Sequence, residues 1–404
     1  MAKQQGFEAL AIQSMLYTQE KPAKLGEVFR QLTIGIPTEN QLHENRVCLT
    51  PKSVEVLVSN GHKIIVQAGA GLASGYSDHE YSECGAQIST SEKEVFESNI
   101  VLKVAPPTDH ELHYFQPNTT LLSAVQLSSL KPEYIQKLNA KRVNAVAFEF
   151  IEDKGGLKPI VRSMSEIAGV CIISIAGEYL SKSQKGQGII FGGVTGVPPV
   201  KVVIIGAGTI GESVARIARS LGAEVQVYDH HHYKLRRMKK DLGDQVYTSI
   251  IDNHTLSKEI MDADVVVGAL RSDEFSPIIV TDQMVSKMQP NSLIIDASIS
   301  QGGCVETSRV TTHENPTFLK HDIVHYCVPN IASRTPRTAT KAFSYIFTPM
   351  LLQIGRIGGI ETMMRCKPWF RKGVYSYRGN LTNHSIGRKF ALPVTDLEIL
   401  MASF

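Results

Sequence analysis

Short runs of apolar residues alternate along this chain with segments in which apolar positions recur every three or four residues. Short apolar runs are typical of buried parallel strands, whereas the longer spacing is typical of helices that bury one face. The pattern therefore predicts two consecutive α/β units. In the first unit, strands are expected over 32–37, 63–67, 100–104, 120–125 and 145–150. In the second, they are expected over 202–205, 224–228, 264–270, 293–296 and 323–328.

The segment 201–229 carries the most specific local signal. An apolar strand is followed by Gly206, Gly208 and Gly211 in G-x-G-x-x-G spacing, then by a helix pattern and a second strand that ends at Asp229. In a dinucleotide site these glycines permit a tight turn, the approach of a pyrophosphate and close helix packing, in that order. A carboxylate at Asp229 accepts hydrogen bonds from a ribose and repels a 2′-phosphate, which predicts NAD(H) rather than NADP(H). The predicted cofactor site also includes Ala207, Thr209 and Ile210.

Longer helical patterns separate the two units. One covers 164–180, and another follows residue 328 and leads back towards the first unit. We therefore predict two Rossmann-like, doubly wound parallel-sheet domains with the active site in the cleft between them, at the carboxyl ends of both sheets. The substrate domain is predicted to be discontinuous, over 1–160 and 335–404, and the NAD-binding domain to cover 161–334. Residues 1–30 and 357–404 are interpreted as terminal additions with modest helical patterning.

Composition narrows the class of protein. The chain has 404 residues, of which 43% are hydrophobic, and a net charge of +3. This length suffices for two domains, and so small a charge argues against a nucleic-acid or membrane partner. No apolar run is predicted to span a membrane, and no signal-peptide pattern is expected at the N-terminus. The six cysteines form no C-x-x-C pair, so we expect free thiols in a reducing, cytoplasmic environment.

Seven segments, in this order along the chain, resemble the alanine dehydrogenase/pyridine nucleotide transhydrogenase family. The alanine dehydrogenase branch is the better match, because nothing here resembles the Arg-Gln-Asp loop of the transhydrogenases. Besides the glycine motif, the segments are IGIPTENQLHENRVCLTP (34–51), GAGLASGYSDHEY (69–81), VLKVAPP (101–107), MSEIAG (164–169), DASISQGGCVETSRVTTHENP (296–316) and HYCVPNI (325–331).

The resemblance implies a reversible reaction in which NAD accepts the Cα hydride of L-alanine and hydrolysis releases pyruvate and ammonia. It also implies a homo-oligomer, either a dimer or a hexamer. Arg46 matches the family's arginine for the substrate carboxylate, a role that suits a guanidinium fork; the alternative is an ordinary surface arginine. Lys103 matches a lysine on the carboxylate and carbonyl side of the substrate. Its alternative is a strand-edge lysine that reaches solvent, although a charge in an apolar strand is costly without a partner.

Further positions match cofactor contacts of the family. Ser165 matches a serine near the nicotinamide end, although it also suits a helix cap. Arg236 matches a basic residue beside the adenosine, and the alternative is a solvated helix face. Contacts to the nicotinamide ribose are implied for Ala269, Leu270, Asn330 and Ile331.

Two positions depart from the family pattern. Where alanine dehydrogenases carry an acid/base histidine this chain has Gln126, and where they carry an aspartate before Gln-Gly-Gly it has Ser300. An amide does not take up a proton near neutral pH, and a hydroxyl lacks the negative charge. An alternative function is therefore a catalytically weak NAD(H)-binding paralogue that acts as a sensor or an oligomer subunit. No metal site is predicted, because the run 230–232 of three histidines has no acidic or cysteine partner at ligand spacing.

Overall fold

Two sheets, one from each predicted unit, form the frame of the molecule. The computed structural model describes residues 29–41, 44–127, 129–153, 155–184, 186–271 and 276–403. Within those ranges both sheets are mainly parallel and carry helices on their faces. This confirms the predicted α/β class with two doubly wound domains. The exact domain boundaries stay a prediction.

The first sheet contains eight strands within the described residues, in the order β15-β14-β6-β5-β4-β1-β2-β3. Six of these strands are parallel, and β14 and β15 extend one edge in antiparallel pairing. The strands are β1 (Thr33–Ile36), β2 (Lys63–Gln67), β3 (Gln87–Ser89), β4 (Ile100–Leu102), β5 (Thr120–Ser123), β6 (Asn144–Ala147), β14 (Val374–Tyr377) and β15 (Asn380–Leu381). The helices of this part are α1 (Pro51–Ser59), α2 (Asp78–Glu83), α3 (Glu92–Phe96), α4 (Asp109–Leu112) and α5 (Pro132–Ala140), and later α11 (Pro336–Arg356), α12 (Ile360–Cys366), α13 (Pro368–Arg371), α14 (His384–Phe390) and α15 (Leu397–Ala402).

The second sheet contains seven strands within the described residues, in the order β12-β13-β11-β10-β7-β8-β9. Only the pairing of β12 with β13 is antiparallel. The strands are β7 (Lys201–Ile205), β8 (Glu224–Asp229), β9 (Tyr247–Ile250), β10 (Val265–Gly268), β11 (Leu293–Asp296), β12 (Thr317–Lys320) and β13 (Ile323–Tyr326). The helices are α6 (Pro159–Tyr179), α7 (Thr209–Ser220), α8 (His232–Leu242), α9 (Asn253–Met261) and α10 (Asp282–Val285).

The strand order places a crevice in each sheet. In the first sheet the order reverses between β1 and β4, and in the second it reverses between β7 and β10. At such a reversal, the chain leaves the two neighbouring strands towards opposite faces of the sheet. The space beyond the carboxyl ends of these strands is therefore open to a ligand. Glu39 and Lys103 follow β1 and β4, whereas Gly206 and Ala269 follow β7 and β10.

The two long predicted helices are present. The first, α6, begins at Pro159, five residues before the predicted start, because Pro159 fits the first turn. By length and hydropathy alone α6 could span a membrane, contrary to the prediction that no segment could, but it packs against α7 and buries Ile172, Ile175 and Ala176 in the second domain's core. The second, α11, returns to the first domain, where its Phe347 ring packs 5.6 Å from that of Phe148.

Several local expectations were wrong. The strand expected over 145–150 ends at Ala147, and Phe148–Phe150 form a 3₁₀ turn. The segment 357–404, interpreted as a mainly helical addition, also supplies β14 and β15 to the first sheet. The short strands β3, β9 and β12 were not expected, since none of them carries a clear apolar run. Residues 1–28 of the predicted N-terminal addition lie outside the described residues.

Candidate functional site

The glycine motif lies between β7 and α7, and its three glycines differ in their surroundings. Gly206 has φ +116°, and a Cβ there would lie 2.6 Å from the Ala269 carbonyl oxygen. A Cβ on Gly211 would lie 1.9 Å from the Gly206 carbonyl oxygen, so this glycine is required for helix α7 to pack against the loop. A Cβ on Gly208 would meet nothing within 4 Å. The backbone therefore leaves space at the N-terminus of α7, where an anionic pyrophosphate is favoured.

Asp229, at the end of β8, is directed to the same loop. Its carboxylate accepts hydrogen bonds from the backbone N–H groups of Ala207 and His231, both at 2.8 Å, and contacts the His231 ring at 2.9 Å. Burial raises the pKa of Asp229, but these hydrogen bonds outweigh it, so that the pKa lies below its usual value. A negative charge is thus held beside the loop, where it would accept a ribose hydroxyl and repel a 2′-phosphate.

The basic residue that contacts the glycine loop is Arg237, which was not predicted. Its Nη2 donates to the Ala207 carbonyl oxygen at 3.1 Å, and it lies 3.7 Å from Glu212 in the first turn of α7. The predicted residue, Arg236, is exposed and lines a groove between α8 and β9 together with Lys239. The role predicted for Arg236 beside the adenosine stays a prediction. Arg236 and Arg237 are adjacent in the sequence, and only the orientation of α8 decides which of them contacts the glycine loop.

Ser165 lies inside helix α6, so its interpretation as a helix cap is wrong. It is four residues before Gly169, where a Cβ would lie 3.3 Å from the Ile210 carbonyl oxygen. Because positions four apart share a helix face, Ser165 is on the side of α6 that faces the start of α7. Thr209 is the first residue of that helix.

Arg46, the predicted substrate arginine, is buried and paired. Glu44 holds one edge of the Arg46 guanidinium, with Nε–Oε1 at 2.7 Å and Nη2–Oε2 at 2.6 Å. The Nη1 group contacts the Met164 sulfur at 3.4 Å, and the guanidinium carbon lies 5.2 Å from the centre of the Phe343 ring. A guanidinium has two edges that bind a carboxylate with paired hydrogen bonds. Glu44 uses the Nε–Nη2 edge, so the Nη1–Nη2 edge retains donors for a substrate.

Contacts between the domains meet at this arginine. Asn330, just after β13, donates from Nδ2 to Oε2 of Glu44 at 3.0 Å. The backbone N–H of Asn45 donates to the Ser333 hydroxyl at 3.2 Å. Asn330 has φ +57°, a conformation in which asparagine is one of the few tolerated residues. The following Ile331 is 4% exposed and packs in the core of the second domain, so a ligand reaches mainly its backbone.

Lys103 follows β4 and is fully buried within a group of oxygen atoms. Its Nζ lies 2.9 Å from Glu39 Oε2, 3.3 Å from Glu111 Oε1 and 3.1 Å from the Thr38 carbonyl oxygen. An ammonium has three N–H groups, so all three are used within the protein. Burial lowers the pKa of Lys103, but the two carboxylates raise it by more, and the side chain is a cation. A substrate carbonyl must therefore displace one of these acceptors to bind it.

Gln126 occupies the loop after β5. It has φ +49°, and its backbone N–H donates to the buried carboxylate of Glu149 at 3.0 Å. Its side chain and that of Gln41 donate to each other at 3.1 Å in both directions. Burial raises the pKa of Glu149. Hydrogen bonds from this loop and the charge of Arg271 lower it by a smaller amount, so the pKa lies above its usual value.

Ser300 is exposed in the 3₁₀ turn Ile299–Gln301. Within the described ranges it makes no hydrogen bond to Arg46, Lys103 or Gln126. The nearby Asp296 is fully buried and accepts hydrogen bonds from the backbone of Ser298, Cys304 and Val305. Asp296 therefore shapes the loop and does not replace the aspartate that the family carries at position 300.

Comparison with known proteins identifies the family of the chain. A family model described as "Alanine dehydrogenase/PNT, N-terminal domain" matches residues 35–168, and "Alanine dehydrogenase/PNT, C-terminal domain" matches residues 172–384. The chain belongs to the alanine dehydrogenase/PNT family. This confirms the resemblance found in the seven segments.

Alanine dehydrogenases of this family align with nearly the whole chain. The alanine dehydrogenase of Bacillus subtilis is 37% identical over 88% of this chain and 94% of its own length. The alanine dehydrogenase of Methanococcus maripaludis is 36% identical over 91% of this chain and 99% of its own length. A solved L-alanine dehydrogenase superposes with a TM-score of 0.84 at 31% identity, over 89% of this chain and 99% of its own. A Sinorhizobium meliloti transhydrogenase, 21% identical with a TM-score of 0.75, shares the fold. The chain is thus an enzyme of the dehydrogenase class, as predicted.

Sequence reasoning missed four buried carboxylates of this family member: Glu39, Glu44, Glu111 and Glu149. A usable signal was present for one of them, Glu39. A lysine in an apolar strand requires an anionic partner, and Glu39 follows the strand that pairs with β4. Nothing in the local pattern distinguishes Glu44 from a surface glutamate.

Proposed function

We propose that the chain catalyses the reversible NAD-dependent oxidative deamination of L-alanine: L-alanine, NAD⁺ and water give pyruvate, ammonium, NADH and a proton. One observation carries this proposal. An arginine whose Nη1–Nη2 edge meets no carboxylate among the described residues is fixed by Glu44, which is itself bonded to Asn330 of the nucleotide-binding domain. The carboxylate of a 2-amino or 2-oxo acid fits that edge.

The residues present fit a dinucleotide. The open space at Gly208 and the N-terminus of α7 would receive the pyrophosphate, and Asp229 would accept a ribose hydroxyl. Ala269 and Leu270 follow β10 at the crevice, beside the glycine loop. When bound, the dinucleotide would supply the acceptor for the hydride of the substrate Cα. The protein holds the substrate and excludes bulk solvent, and this positioning alone supplies a large part of the rate enhancement.

Proton transfer is assigned to water that the site positions. The Gln126 amide orients a water molecule or a carbonyl without titrating, and the Ser300 hydroxyl accepts and donates hydrogen bonds. Lys103, a cation held by two carboxylates, polarises the carbonyl oxygen once one of its acceptors is displaced.

The test is the oxidation of NADH, followed at 340 nm, with pyruvate and ammonium. NADPH and longer 2-oxo acids serve as controls for the cofactor and the substrate. Turnover of about 1–10³ s⁻¹ is expected. Tight NADH binding without turnover on any of these acids would refute the proposal and favour the NAD(H)-binding paralogue.

We also propose that the chain forms a homo-oligomer. An exposed apolar surface supports this: Ile190 and Leu221 line one groove, and the exposed, bridged pair Val194 and Val197 follows Gly193, whose backbone N–H donates to the Leu221 carbonyl oxygen. Apolar surfaces of this kind commonly mark protein contacts. Sedimentation of wild-type protein and a Val194→Asp variant tests it, since a dimer or hexamer should dissociate in the variant. A cytoplasmic location stays a proposal, supported by the six unpaired cysteines.

A further inference from the structure

A continuous line of side-chain hydrogen bonds joins the second domain to the substrate arginine. Asn330 Nδ2 donates to Glu44 Oε2 at 3.0 Å, and the same oxygen accepts from Arg46 Nη2 at 2.6 Å. Asn330 follows β13 at the carboxyl end of the second sheet. That is the edge at which the glycine loop lies, and where ligands bind in sheets of this kind.

Glu44, in the middle of this line, has no acceptor position left for a further hydrogen bond. The Glu44 carboxylate accepts from the Arg46 backbone N–H at 3.1 Å, from Arg46 Nε and Nη2, and from Asn330 Nδ2. A carboxylate has about four acceptor positions, so all are used. Its side chain is only 2% exposed, and water therefore does not replace a donor that is lost. The orientation of Arg46 thus depends on Glu44, and that of Glu44 depends partly on Asn330.

Asn330 is suited to transmit the presence of a ligand. It is exposed in the cleft, and no donor to its Oδ1 occurs among the described residues. A hydroxyl that donates to Oδ1 would fix the amide in one rotamer and polarise it. Both effects strengthen the bond from Nδ2 to Glu44, because hydrogen bonds in a chain reinforce one another.

We propose that Asn330 and Glu44 are positioning residues that couple the dinucleotide site to the carboxylate site at Arg46. A ribose hydroxyl on Asn330 Oδ1 holds Glu44 against the Nε–Nη2 edge of Arg46 and leaves the Nη1–Nη2 edge oriented for a 2-oxo acid. The dinucleotide therefore tightens the binding of the acid, and the acid tightens the binding of the dinucleotide by the same factor. This inference rests on the proposed function.

The experiment measures that factor at equilibrium. NADH is titrated into the full chain by fluorescence, with and without saturating pyruvate and without ammonium, and the ratio of the two Kd values is the coupling factor. A factor of about 10 is expected for the wild type, within the usual range for coupled sites. Asn330→Gly keeps the positive φ and removes the amide, and should bring the factor close to 1.

The matched control is Ser333→Ala. It removes the acceptor of the Asn45 backbone N–H between the same two segments and keeps all four donors to the Glu44 carboxylate, so it should retain the wild-type factor. In the steady state, Asn330→Gly should raise KM for pyruvate about tenfold with a smaller change in kcat. If Asn330→Gly does not fold, Glu44→Gln breaks the same line at its centre and should also abolish the coupling.

The outcomes separate the inference from the proposed function. Absence of NADH oxidation with pyruvate and ammonium would refute the function itself. Turnover combined with a wild-type coupling factor of 1, or with full coupling retained in Asn330→Gly, would overturn the coupling role alone. Equal loss of coupling in Ser333→Ala and Asn330→Gly would also overturn it, since any contact between the domains would then suffice.

Discussion

Alanine substitutions at two glycines of the cofactor loop should affect different properties: the one at Gly208 should weaken NADH binding, and the one at Gly211 should lower stability. Gly208 has φ −80° and ψ −170°, which alanine adopts freely, and a Cβ there would contact nothing within 4 Å. Gly211 lies in the first turn of α7, and its Cβ would lie 1.9 Å from the carbonyl oxygen of Gly206. The first change adds a methyl group to the space assigned to the pyrophosphate, whereas the second forces the helix away from the loop.

The magnitudes follow from these contacts. Gly208→Ala should change the free energy of unfolding by less than about 1 kcal/mol, because the freedom lost by the unfolded chain is offset by the poorer fit of alanine to the N-cap position of α7. The methyl group should cost about 1–3 kcal/mol in NADH binding, the usual cost of overfilling a packed site, or about 5- to 150-fold in Kd. Gly211→Ala should lower the free energy of unfolding by about 1–2 kcal/mol, since strain of about 2–3 kcal/mol exceeds the helix-propensity gain of about 1 kcal/mol.

Two assays on the same preparations decide this prediction. Urea unfolding without cofactor gives the stability, and the fluorescence of bound NADH gives the Kd. If Gly208→Ala bound NADH as tightly as the wild type, the assignment of the pyrophosphate to this space would be wrong. If Gly211→Ala were as stable as the wild type, the close approach of α7 to the loop would not matter for folding.

Three further predictions concern charge and protons. Lys103→Met should destabilise the protein by about 3–5 kcal/mol at pH 8, because the carboxylates of Glu39 and Glu111 stay buried without a cation. Urea unfolding should show a smaller loss at acidic pH, since burial already raises the pKa of Glu39, and an equal loss would contradict this. Burial lowers the pKa of His325 to about 4, so the unfolded chain binds a proton that the native state does not as the pH falls from 6.5 to 4. Stability, measured by urea unfolding, should drop by about 3 kcal/mol over that range, and His325→Gln should flatten this part of the pH profile; an unchanged slope in the variant would contradict the low pKa of His325. Gln126→His combined with Ser300→Asp should raise kcat about 10²-fold at unchanged NADH Kd, because the pair adds an acid/base group. Histidine tolerates the positive φ at position 126. A fall in kcat would show that Gln126 and Ser300 serve a different mechanism.

The central parts of both sheets were predictable from the chain because their signals are local. An apolar run followed by G-x-G-x-x-G and an acidic residue one strand later specifies a strand, a turn and a helix within 29 residues. The edge strand β9 and the strand β14, next to the edge of the first sheet, were not predictable, since they carry mixed polarity and gain their structure from their neighbours.

By itself, the sequence determined the two α/β units, the cofactor loop with Asp229, the candidate substrate residues Arg46 and Lys103, and the two departures at positions 126 and 300. Only the tertiary structure decided how these residues are paired. Glu39 meets Lys103 because β1 and β4 are neighbours where the strand order reverses, and Glu44 meets Asn330 across 286 positions of the chain. A buried charge requires a partner, but its identity depends on which strands and domains come together, and local pattern does not record that.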